Sequence, residues 1–134
     1  MPGMSLRAFA IAYLFVQAAG AAGWWLALLA WPESRAPFVA TGAPDATLLA
    51  FGPADVLLYV GLSAACAVGS VRRREWAWPL LCVHTGAATY AALYCVTLPL
   101  LTEGSGWLGA VLMSPSLVVP AWLCVKLRPG AHRT

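Results

Sequence analysis

The sequence predicts an all-α fold: a four-helix bundle integral to a membrane, with both termini on the cytoplasmic side. Of its 134 residues, 61% are hydrophobic and 10% are charged. A soluble domain carries roughly 45–50% apolar and about 25% charged residues. A chain of this length cannot bury so much apolar surface in its own core, so we expect lipid to cover it. The length allows one domain, spanning 1–134.

Four apolar stretches are long enough to span a bilayer, which requires about 20 residues of helix. We predict spanning helices over 6–31, 45–71, 75–101 and 106–127. Short polar breaks separate the last three of these stretches. Because a helix satisfies its own backbone hydrogen bonds, it is the expected spanning structure for such stretches.

Basic residues indicate the orientation of the chain. If the chain crosses four times, one side of the membrane holds Arg7, Arg72, Arg73, Arg74, Lys126, Arg128 and Arg133. Of the lysines and arginines, only Arg35 falls on the other side. Basic loops mark the cytoplasmic face. The formal net charge of +3 is therefore mainly a topology signal, and we expect no nucleic-acid partner.

The start of the second helix has two interpretations, because Pro44 and Pro53 both carry ordinary start signals. The longer helix, from Pro44, is favoured because the segment 47–51 is too apolar for an exposed loop. In that helix Asp55 lies about 15 Å from the end, near the bilayer midplane. In the shorter helix Asp55 is a solvated cap at the membrane interface.

Few polar side chains fall within the predicted spans, and these are the candidates for a site. The candidate ligand-binding residues are Gln17, Asp55, Tyr59, His84, Thr89 and Ser116. Asp55 and His84 are also the catalytic candidates, because the longer helix brings them to similar depths, where they could pair. Each also has a structural interpretation: Asp55 as a helix cap, and His84 as a hydrogen bond between helices on a small-residue face.

The cysteines give no sign of a metal or redox site. No two of them stand in a CxxC spacing, and all four lie in apolar runs: Cys66, Cys82, Cys95 and Cys124. Free cysteine packs as a small hydrophobic residue, which is the role we expect. No His and Cys cluster has metal-ligand spacing, and no catalytic or phosphate-binding motif is present. We therefore expect no metal and no cofactor.

Two further features bear on packing. Pro115 and Pro120 predict kinks in the fourth helix. The kinks would either open a pocket between helices or bend the helix around a neighbour. The segment 18–23 of the first helix contains only alanine and glycine. Such a surface favours tight packing against another helix or a second copy of the protein.

Several short motifs follow one another along the chain. They are Asp55-Val56-Leu57, Val83-His84-Thr85, an acidic turn at Glu103, the prolines Pro115 and Pro120, and Leu127-Arg128-Pro129. In order and spacing they resemble the EXPERA family, which includes the emopamil-binding sterol isomerase and the sigma-2 receptor. The receptor branch is the more similar, and the likeness spans most of the chain.

The resemblance implies a ligand pocket inside the bundle that opens sideways to lipid. Asp55 matches the acidic residue of the second helix that lines this pocket in the receptor branch, and Gln17 stands about where that branch has a histidine. That branch also has an acid in its first helix, where this chain reads Gly23-Trp24-Trp25-Leu26. The missing acid argues against receptor-type binding of cationic amines. It leaves Asp55 and His84 as the pair for any isomerase chemistry.

We therefore expect an intramembrane cavity around Asp55, Tyr59, His84 and the fourth helix. Its expected ligand is a membrane lipid or another hydrophobic small molecule, sterol-like or isoprenoid-like, with or without double-bond isomerisation. The alternatives are a non-catalytic accessory or assembly subunit, acting as a homodimer or with a partner membrane protein, and a small proton-coupled transporter. The compact chain, rich in Ala, Gly and Arg, suggests a bacterial inner membrane.

Overall fold

The computed structural model describes residues 5–102 and 106–129, and within these ranges the regular structure is helical. Four helices are long and apolar enough to cross a membrane: α1 (Leu6–Ala30), α2 (Asp45–Val71), α3 (Ala77–Leu101) and α4 (Trp107–Lys126). The predicted all-α four-helix class is confirmed, and the helices identify an integral membrane protein. Glu103, with its acidic turn, and Arg133 lie outside the described residues.

The helices run alternately up and down, and each packs against the next in the chain. The rings of Phe9 and Trp122 meet edge to face, with centroids 5.9 Å apart, so α1 also contacts α4. We call the end that holds the start of α1 and the end of α4 the basic end. There Arg7 donates a hydrogen bond to the carbonyl of Ser70. A cation is favourable beside the last carbonyls of a helix, so this contact fastens α1 to α2.

The outer surface of the bundle is apolar. Leu57, Val118 and Leu26 are 70%, 67% and 66% exposed. The interior at the basic end is built from small and aliphatic side chains: Ala10, Leu14, Cys66, Ala67, Leu81 and Leu123. Small residues let helix backbones approach closely, which is how helices associate in lipid. The exterior and interior therefore both fit a bundle surrounded by lipid.

Helix α2 begins at Asp45, as the longer of the two predicted starts requires. It changes its winding along its length. A π-helical segment occupies Asp55–Gly61 and is followed by regular α-helix over Leu62–Val71. A Cβ at Gly61 would lie only 3.2 Å from the carbonyl oxygen of Val56, so glycine suits this turn. π segments are rare and occur frequently at functional sites.

Arg35 links α1 to α2 at the end of the bundle opposite the basic end. It lies in the 3₁₀ helix Pro32–Phe38 that follows α1. Its Nε donates to the carbonyl of Leu28, at 2.8 Å, and its guanidinium forms an ion pair with Asp45, at 3.1 Å. The cation therefore sits at the C-terminus of α1 and the anion at the N-terminus of α2, where helix dipoles favour each.

Candidate functional site in the bundle interior

His84 is the centre of a polar cluster inside the bundle. Its side chain is fully buried, with Nε2 lying 3.1 Å from the hydroxyl of Ser63 and Nδ1 lying 3.4 Å from the carbonyl oxygen of Leu58. Because a carbonyl can only accept, Nδ1 carries the proton, and in the neutral imidazole Nε2 then accepts from the serine hydroxyl. His84 thus joins α3 to α2 as an interhelical hydrogen-bonding residue, and one of its partners belongs to the π segment.

Tyr59 and Ser116 extend this cluster to α4. Both are buried, at 7% and 3% exposure, and their hydroxyl groups are hydrogen-bonded to each other. The ring of Tyr59 lies beside that of His84, with centroids 5.6 Å apart and planes at 60°. The structure therefore brings together three of the residues predicted for the site, one from each of three helices.

Gln17 supplies a fourth predicted residue. Its amide lies beside the Tyr59 hydroxyl, close enough to interact. Both polar atoms of this amide are nevertheless buried, and neither reaches hydrogen-bond geometry with a described group. Leaving a buried polar group unpaired costs about 1–3 kcal/mol. Gln17 therefore belongs to the cluster, and its amide can still donate and accept hydrogen bonds.

Asp55 is hydrogen-bonded to a residue outside this cluster, although Asp55 lies near enough to Tyr59 for the two side chains to interact electrostatically. Its Oδ2 accepts a hydrogen bond from the indole Nε1 of Trp25 on α1, at 3.3 Å. The ring nitrogens of His84 have the different partners described above, so the two predicted catalytic residues belong to separate hydrogen-bonded groups. Sequence reasoning missed Trp25 as the partner. An indole N–H is a donor and a carboxylate an acceptor, so the pairing is chemically expected, but nothing in the sequence distinguishes Trp25 from Trp24 as the partner.

Thr89 does not share the face of His84. It is five residues further along α3, which turns its side chain about 140° around the helix and moves it about 7.5 Å along the axis. It is half-buried. Helix geometry therefore places the Thr89 side chain on a different face of α3 from His84, away from the cluster.

A groove of about 340 Å³ lies between α1 and α2. Its walls are formed by Trp25, Leu29, Leu49, Gly52, Pro53 and Val56. Asp55 is not one of its lining residues, but Trp25, the hydrogen-bond partner of Asp55, is. Glycine at position 52 lets the backbone of α2 lie close to the ring of Trp25, since a Cβ there would be 3.2 Å from that ring. The expected cavity surrounded Asp55, Tyr59 and His84, whereas none of these three side chains lines the groove.

Comparisons of the chain with protein-family models, with curated proteins and with solved structures find no match. The resemblance to the EXPERA family therefore stays a prediction, and the site is interpreted from its geometry. Within 5–102 and 106–129, no group of three or more His, Cys, Asp or Glu side chains is placed to hold a metal ion.

Proposed function

We propose that the protein binds an apolar membrane molecule carrying a hydrogen-bond-donating head, of the isoprenoid-alcohol type. The apolar chain would occupy the groove between α1 and α2, and Asp55 would hold the head. The observation that carries this proposal is a carboxylate within a spanning segment that is hydrogen-bonded to Trp25, whose side chain lines an apolar groove. Ionisable groups are costly at such depth and are retained mainly where they serve a function.

The contacts of Asp55 support an anchoring role. Its Oδ2 accepts from Trp25, but a carboxylate has two oxygens and can accept further hydrogen bonds. The same indole ring forms part of the groove wall. The bond therefore positions both the wall and the anchor, and leaves acceptor capacity for an O–H or N–H of the ligand.

The groove also has a route from the bilayer. Two of its wall residues, Leu29 and Val56, are 61% and 49% exposed on the outer surface of the bundle. The outer surface of a spanning bundle faces lipid, so a lipid-soluble molecule would enter sideways without crossing water. Binding is proposed rather than isomerisation, because Asp55 and His84 hold different partners.

The orientation and host membrane belong to the same proposal. The described basic end carries Arg7, Lys126, Arg128 and the arginines at 72–74. At the opposite end, Arg35 is paired with Asp45. This asymmetry supports a basic end that faces the cytoplasm, and we assign the protein to a bacterial inner membrane on the composition of the chain.

A matched pair of ligands tests the anchor. Purified protein is melted in detergent with farnesol or with farnesyl methyl ether, which has the same chain but no O–H. A ligand at 100 times its Kd stabilises the fold by about 2.7 kcal/mol. We expect farnesol to raise the melting temperature of the wild type more than the ether does. In Asp55→Leu this difference between ligands should disappear.

Two further variants control the experiment. Glu33→Leu changes an exposed acid outside the spanning helices and should leave the farnesol response intact. Val56→Trp fills the groove and should abolish the response to both ligands. Equal stabilisation of the wild type by farnesol and the ether would disprove the anchoring role of Asp55. No stabilisation by either would exclude isoprenoid ligands.

A second candidate, an accessory subunit, is favoured by the outward face of α1. Ala19, Gly20 and Gly23 are exposed, and a Cβ at either glycine would meet nothing within 4 Å. Outward small residues permit close approach of another helix. In mild detergent, a partner membrane protein or a second copy should then remain with the wild type and be lost in Gly20→Leu. Purification of the wild type as a lone monomer would contradict this candidate.

A further inference from the structure

The thiols of Cys82 on α3 and Cys124 on α4 face each other across the helix contact. Their sulfur atoms are 2.8 Å apart, and both side chains are half-buried. We propose that these two cysteines form a reversible redox site, in which a disulfide links α3 to α4 near the basic end. This inference is independent of the ligand-binding groove, which involves neither residue.

The surrounding contacts already hold the two helices together at this point. The indole Nε1 of Trp78, one turn before Cys82 on α3, donates to the carbonyl oxygen of Cys124 at 2.9 Å. A disulfide bond is about 2.05 Å long, so the sulfurs must approach by about 0.8 Å. Closure of the bond requires side-chain rotations to supply this movement.

Both thiols lie near the water interface. Cys124 precedes Lys126, the last residue of α4, by two positions, and Cys82 lies within the second turn of α3. Reagents from the aqueous phase can therefore approach the pair. Cys66, by contrast, is fully buried in the apolar core, which a polar oxidant cannot reach.

The chemistry requires an oxidant of the low-molecular-weight disulfide class. The thiolate of one cysteine attacks this disulfide, which forms a mixed disulfide with the protein and releases one small thiol. The second cysteine then attacks the protein sulfur of the mixed disulfide, and the second small thiol leaves. In sum, two protein thiols become one disulfide, and one small disulfide becomes two small thiols. Excess dithiol reverses the reaction.

The expected consequence is a restraint on α4. Ser116, whose hydroxyl bonds to Tyr59, lies eight residues before Cys124 on α4, which corresponds to about 12 Å. A bond from Cys124 to α3 limits the movement of α4 away from the bundle. Oxidation should therefore raise the melting temperature of the protein, and reduction should return it to the starting value.

The test uses the full chain in detergent, incubated with oxidised glutathione and analysed by intact mass spectrometry. Closure of the bond removes two hydrogens, a loss of about 2 Da, and peptide mapping should join Cys82 to Cys124. Cys66→Ser and Cys95→Ser should retain the mass loss. Cys82→Ser and Cys124→Ser should abolish it.

Three outcomes would overturn the proposal. The first is a wild type whose mass does not change. The second is a stable glutathione adduct that does not proceed to the internal bond, because the two sulfurs would then be unable to meet. The third is a mass loss of about 2 Da that persists in Cys124→Ser, which would place the disulfide elsewhere.

Discussion

Replacing His84 with alanine should lower the free energy of unfolding by about 2–4 kcal/mol, within the range measured for large buried side chains cut to alanine. His84 is fully buried, and it contacts the hydroxyl of Ser63, the carbonyl of Leu58 and the ring of Tyr59. Its loss leaves a cavity, and it removes a hydrogen-bond partner from the buried hydroxyl of Ser63 and from the carbonyl of Leu58. The midpoint of unfolding by SDS in mixed micelles measures the change.

His84→Phe separates the two contributions, because it keeps an aromatic ring, slightly larger than imidazole, and removes both hydrogen bonds. Hydrogen bonds between membrane helices average about 0.6 kcal/mol each. Phenylalanine should therefore cost only about 1 kcal/mol, well below the cost of alanine. If the two variants were equally destabilising, hydrogen bonding rather than ring packing would dominate at this position. The prediction that ring packing makes the larger contribution to stability would then be wrong.

The four helices were predictable because a membrane leaves the chain few choices. Backbone groups in lipid must be satisfied within the helix, and the helix must be about 20 residues long. Composition and length alone therefore placed the ranges 6–31 and 75–101 within two residues of Leu6–Ala30 and Ala77–Leu101. The longer start of α2 followed from the same reasoning, because the apolar segment 47–51 needed a place in lipid.

The arrangement of the site was only partly predictable. Counting residues from helix ends gives depth along the bundle, and depth suggested that Asp55 and His84 could pair. It does not give the direction in which a side chain leaves its helix. The π segment Asp55–Gly61 alters this direction, and no residue pattern announced it. Asp55 consequently meets Trp25 on α1, whereas the carbonyl of Leu58 meets His84 on α3.

The cysteine pair shows the same limit of sequence reasoning. Cys82 and Cys124 are 42 positions apart in the chain and show no motif spacing, so packing was the expected role for both. Their proximity depends on how α3 and α4 rotate about their axes. Those rotations are set by contacts such as the one from Trp78 to the carbonyl of Cys124, which a linear pattern does not specify.

Gly69→Ala should destabilise the protein, although alanine is intrinsically the better helix former by about 1 kcal/mol. Gly69 is buried near the end of α2. A Cβ at this position would lie 2.6 Å from the ring of Trp76 and 3.0 Å from the Cβ of Ala77. Trp76 is 47% exposed and its ring can turn outward, but the Cβ of Ala77 is fixed to the backbone. The turn between α2 and α3 must therefore shift by a few tenths of an ångström to accommodate the new Cβ.

Gly86→Ala provides the matched control, since Gly86 lies within α3 and a Cβ there would meet nothing within 4 Å. Both substitutions replace a helical glycine with alanine, so the gain in helix propensity cancels in part when the two are compared. The remaining difference is the cost of overpacking, about 1–3 kcal/mol, and it should appear as a lower unfolding midpoint for Gly69→Ala. If the two variants had equal midpoints, the ends of α2 and α3 could not be packed this closely. The close approach of Gly69 to Trp76 and Ala77 would then be excluded.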